Sequence, residues 1–183
     1  MHSYAEGKSV TAHSFISSRA AVLNYATRDA LVMTWDRCVG VVWKRETTAE
    51  GVEALNEAYR EQASRYPSGV YLMTIVEKDA PMPSTEQREA VAVFLRSGSG
   101  RTRMSAVVIE GSGFRAAAVR SVVTGLAMLV RLPYPHEIFG TIEQAAKWLG
   151  TTPHNDVDPD YTVLAVNHAR RSAESGELKV RRK

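Results

Sequence analysis

The sequence predicts an α/β domain: a mixed β-sheet that starts with a hairpin and is covered by about four helices. Three observations lead there. The runs "GVYLMTIV" and "MSAVVI" are apolar without alternation, as in strands buried on both faces. The segments between the apolar runs repeat apolar residues every three or four positions, the period of an amphipathic helix. Glycine- and serine-rich punctuation, "SGSG" at 97–100 and "EGSG" at 110–113, separates the two patterns.

Taken in order, 1–28 is weakly periodic, with Ala20 to Tyr25 fitting either a strand or a short helix. Leu31 to Trp35 and Val39 to Trp43 then read as two strands around a turn at Asp36 and Arg37, since valine and tryptophan suit a pleated surface. Thr47 with Glu50 opens a helix whose stripe is Val52, Leu55, Tyr59 and Ala63. Gly69–Val76 is a central strand. Ser84, with Gln87 three residues on, caps a second helix through Phe94 and Leu95. Met104–Ile109 is the next strand, succeeded by a long helix from Phe114 to Leu129. His136–Phe139 is a short last strand, and Thr141–Leu149 a capped amphipathic helix. Alternation of this kind makes a sheet with helical cover, joined by right-handed crossovers. The expected division is an N-terminal extension at 1–27, an α/β domain at 28–150, and a polar linker with a basic extension at 151–183.

Composition narrows the class. The chain has 183 residues, one cysteine and a net charge of +3. Cys38 alone excludes an internal disulfide and a cysteine-cluster metal site. From His168 onward six basic residues face two acidic ones, leaving 17 basic and 18 acidic in the body. The positive charge is thus a property of the tail, and a surface built for specific nucleic acid would carry it differently. The longest uncharged apolar run is too short to span a bilayer. The N-terminus lacks the apolar core of a signal peptide. Cytoplasmic location is the expectation.

"HEIFGTIEQAAKWL" resembles the end of a STAS-like domain, the broad group that includes the SpoIIAA-like and anti-anti-sigma-factor families. Phe139, Thr141, Ala145, Trp148 and Leu149 take the places of the apolar strand end, the cap and the helix closing near Trp-Leu. The element order from 30 to 149 is similar as well. The resemblance implies a non-catalytic domain that binds partner proteins, with a Ser or Thr at the start of the second helix as a phosphorylation switch. Ser84 and Thr85 fall nearest that position. The Asp-Ser-Ser-Gly signature of phosphoregulated members is replaced by "DAPMPSTEQ", and a minimal STAS domain lacks the two extensions.

The chain carries three candidate sites. Ser84 and Thr85 are a regulatory site or an ordinary cap. The turn Gly111, Ser112, Gly113, with Arg115 beside it, is a site for an anion or a partner, or a plain strand–helix turn. Ser112 also raises a hydrolase, but Glu110 stands where a nucleophile elbow needs glycine, and the five histidines show no triad spacing. The helix carrying Phe114, Val119, Val122, Val123 and Leu126 is apolar on most sides and needs a second partner: an extension of the chain, a second subunit or an oily ligand. Trp35 and Trp43 fit either the core or a stacking platform. Asp156, Asp158 and Asp160 lack the glycine and closing glutamate of a calcium loop and read as a solvated linker. No catalytic residue, metal or cofactor is expected. The expected function is a regulatory or scaffold protein that binds another protein or itself. The alternative is a small-molecule or lipid-binding module using the Gly111–Gly113 turn and the apolar helix.

Overall fold

A computed structural model of the chain describes residues 21–98, 100–152 and 156–175. Six strands form one sheet: β1 (Val22–Ala26), β2 (Ala30–Trp35), β3 (Cys38–Trp43), β4 (Val70–Val76), β5 (Thr102–Ile109) and β6 (His136–Phe139). They lie side by side in chain order. β1, β2 and β3 pair antiparallel, while β3, β4, β5 and β6 pair parallel. The five helices among the described residues are α1 (Ala49–Arg65), α2 (Thr85–Ser97), α3 (Gly113–Val130), α4 (Ile142–Leu149) and α5 (Pro159–Ser175). The fold is therefore the mixed α/β sheet with a leading hairpin that the sequence predicts. The hairpin turn at Asp36 and Arg37 puts Asp36 in left-handed backbone, at φ 41°, which a short polar side chain tolerates.

Register explains the two cores. Leu31, Val42, Ile75 and Val108 form one row across the sheet, and Met33, Gly40, Met73 and Ala106 another. These rows pack beneath α4 and α5 through Ala145, Leu149, Val166 and Ala169. The alternate rows, such as Val32, Val41, Thr74 and Val107, face the other way. α1 and α2 cover part of that face through Leu55, Tyr59 and Phe94, and α3 covers part through Ala116 and Val119. Three successive crossovers that each advance one strand in the same direction place their helices on one side when all share a hand. The opposite side is left for the chain beyond β6.

That later chain includes α5, which lies in the stretch read as linker and extension. Its buried face mixes Ala165, Val166 and Ala169 with Thr162 and Ser172, so small polar residues break the apolar stripe in the sequence. Thr162 is buried because its hydroxyl accepts a hydrogen bond from Trp35 Nε1 at 3.2 Å. β1 likewise lies in the stretch read as an extension and adds an edge strand, with Leu23 buried. Trp35 and Trp43 are both core residues on opposite faces of the sheet. Asp156 accepts from the Tyr71 hydroxyl at 3.1 Å, and Asp158 caps α5 by accepting from the Tyr161 amide. Two of the three aspartates thus serve packing and capping. The basic residues from 176 onward lie outside the described residues.

Candidate functional site

The three sequence candidates gather around one end of the sheet, where β3, β4 and β5 finish. α2 begins above this end and α3 starts from it.

Ser84 is the N-cap of α2. Its hydroxyl accepts from the Gln87 amide at 3.2 Å while Gln87 Oε1 accepts from the Ser84 amide at 2.8 Å, a full capping box. Both Ser84 and Thr85 are exposed. Arg88, one turn on, donates from Nε to the Ser84 carbonyl and from a terminal nitrogen to Thr85 Oγ1. The regulatory candidate thus carries an arginine beside it that no sequence motif singles out.

The "EGSG" turn has Gly111 at φ 92° and Gly113 at φ 83°, the left-handed region that favours glycine. Ser112 is the N-cap of α3, yet its side chain makes no capping bond. Arg115 is engaged with the Ala80 carbonyl, where it holds the loop after β4. The hollow beside the turn is lined by three carboxylates, Glu77, Asp79 and Glu110, and by two cations, Lys78 and Arg115. An anion placed there meets three carboxylates, so the geometry weakens this turn as an anion clamp. Glu77 is held above the usual carboxylate range, chiefly because burial penalises its charge; Arg170 pulls the other way. Arg170 reaches from α5 to both carboxylates, at 2.8 Å to Glu110 and 3.5 Å to Glu77. His136 sits at the hollow beside the C-terminal half of α3, with Arg120, Ala127 and Arg131, whereas Ser112 begins that helix. The two are separated by most of an 18-residue helix, on the order of 27 Å long.

α3 is the unusual element. Of its 18 residues only Ala116 and Val119 are buried, and no acidic residue occupies its first turn. Phe114 is 92% exposed, Met128 73% and Leu129 74%. By length and composition it is apolar enough to cross a membrane, with mean hydropathy 1.4. As a crossover between the adjacent paired strands β5 and β6, it cannot span a bilayer while both strands stay in the sheet. A Cβ at Gly125 would meet nothing within 4 Å, so no contact among the described residues requires glycine there.

On its inner side α3 does not close onto α2. An apolar cleft of about 90 Å³ runs between them over the ends of β3, β4 and β5, with walls of Trp43, Val76, Val91, Val107, Val123 and Leu126. Arg45 and Arg88 stand on the same walls. The cleft continues as a wider groove of about 430 Å³ along α2 and α3, past Ala92, Gly125 and Leu129, with Glu89 and Arg96 on its α2 side. Val122 and Leu126, read from sequence as interface residues, line both parts. Trp43, Arg45 and Arg88 are not legible as a group in the sequence, because no spacing joins residues from a strand end, a loop and a helix.

No protein-family model matches the chain, and no curated protein or solved structure matches it.

Proposed function

We propose that this chain is a non-catalytic regulatory or scaffold protein of the cytoplasm that binds another protein, or a second copy of itself, through the outward face of α3. The observation that carries this reading is an 18-residue helix with mean hydropathy 1.4 of which only Ala116 and Val119 are buried. Apolar surface left in water is a docking surface in search of a partner. Phe114 and Met128 supply large anchors near its ends, with Ala117 and Ser121 between them. Ala117 and Ser121 are both exposed, and small residues let a partner's backbone approach closely. The STAS-like resemblance at Phe139, Thr141, Ala145, Trp148 and Leu149 agrees with a binding domain. Ser84 and Thr85 begin the neighbouring helix beside Arg88, so a phosphate added there would meet a guanidinium and bias the α2 side of the molecule.

The test is site-specific photo-cross-linking in native cells, with the reactive group at position 121 on α3 or at position 93 on the exposed side of α2. A single product from position 121, lost in Phe114→Glu, is expected. Equal labelling from both positions, or none, overturns the reading. For the purified interaction, Phe114→Glu should weaken binding by roughly tenfold or more, the scale of an aromatic anchor.

A further inference from the structure

The cleft on the inner side of α3 is distinct from its outward docking face and points to a ligand. We infer that it binds a single-chain amphiphile with an anionic head group. The chain is specified by the walls: Trp43, Val76, Val107, Val119, Val123 and Leu126 present almost only carbon. The head is specified by charge. Among the described residues Arg45 and Arg88 are the only charged side chains on those walls, and no carboxylate lines them. This contrasts with the neighbouring hollow at Gly111–Gly113, which holds three carboxylates. Two guanidiniums beside an apolar trough form charge-assisted hydrogen bonds to a carboxylate or a phosphate. Arg88 is already oriented by the Ser84 carbonyl and Thr85 Oγ1, so less of its freedom is lost on binding.

Size and position agree. The inner cleft, at about 90 Å³, is too small for a fused ring system and takes part of one alkyl chain. The groove beyond it adds about 430 Å³, which brings the trough into the ~300–1,000 Å³ range of small-molecule sites. It lies over the ends of β3, β4 and β5, between the two helices that cover that face. The wide apolar surface of α3 is thereby used twice: the outer side for a partner and the inner side for a chain.

The purified full chain is titrated below the micelle concentration of each probe with oleate, oleoyl lysophosphatidate and neutral oleyl alcohol. Trp43 fluorescence gives the readout and Trp43→Phe the control. The expected result is saturable binding of one oleate or one lysophosphatidate per chain, at least roughly tenfold tighter than the alcohol. The tighter of the two identifies the head as carboxylate or phosphate. The advantage over the alcohol should vanish in Arg45→Gln/Arg88→Gln, and Leu126→Trp should block all three probes. Should the double variant fail to fold, Arg45→Glu at the cleft rim makes the same test. Absent saturation by both anions, equal affinity for the alcohol, or binding indifferent to the arginines overturns the inference. Phe114→Glu, which disables the outer face, should leave oleate affinity unchanged, so the two readings fail separately.

Discussion

At the scale of single residues, His136 is a group whose chemistry is set by where the fold puts it. Both of its ring nitrogens are buried without a hydrogen-bond partner among the described residues. Burial disfavours the charged imidazolium and pushes its pKa down, against the opposing pull of Glu137. The unfolded chain takes up a proton as pH falls through the ordinary imidazole value of about 6.5, while folded His136 stays neutral until lower pH. The unfolded state then binds more protons, so stability falls with falling pH in that window. Urea denaturation at pH 7.5 and pH 5.5 should show this loss, and His136→Leu should reduce it. Cys38 is the contrasting case: burial pushes its thiol up, which leaves it an inert core residue.

Among the elements, α3 and α4 mark the extremes. α4 buries four of its eight residues, Ile142, Ala145, Ala146 and Leu149, and its spacing makes that face plain in the sequence. α3 buries two of 18 and shows no single apolar side, because sheet, cleft and outer surface each claim part of its circumference. Its mid-helix glycine separates folding from binding. Gly125→Ala meets no atom within 4 Å of the new Cβ, so it should stabilise the domain by roughly 0.5–1 kcal/mol through helix propensity. Thermal melting checks this. If a partner backbone approaches α3 at that point, the same substitution should weaken the complex while the melting temperature rises.

Across the whole molecule, Arg170 ties the two sides of the sheet together. It lies on α5, on one face, and reaches Glu77 and Glu110, which come just after β4 and β5 at the end from which α3 departs on the other. The three side chains keep 19–30% exposure. Arg170→Leu should therefore cost roughly 1–2 kcal/mol near neutral pH, less than the ~3–5 kcal/mol of a fully buried pair. The cost should shrink as pH falls and Glu77, held above the usual carboxylate range by burial, loses its charge, measurable by denaturation at pH 7 and pH 4. α5 itself completes the core. The side of the sheet bearing Leu31, Met33 and Trp35 is covered by Ala165, Val166 and Ala169, so the folding unit reaches beyond residue 150.

Local chemistry along the chain identifies most of the elements. The Ser84 capping box, the Asp36–Arg37 turn, the unbroken apolar strands and the α4 stripe each depend on contacts within a few residues, which sequence spacing records directly. α3's excess apolar surface is legible for the same reason, since it is a property of one segment. Other features depend on residues far apart in the chain. Thr162 and Ser172 look polar until Trp35 and the sheet bury them. Arg115 looks like an anion clamp until the Ala80 carbonyl engages it. Arg45 and Arg88 come to line one cleft only when the loop after β3 and the start of α2 meet. Periodicity can report that a face is apolar; what that face meets is decided by register and crossover direction, which arise only when the strands assemble.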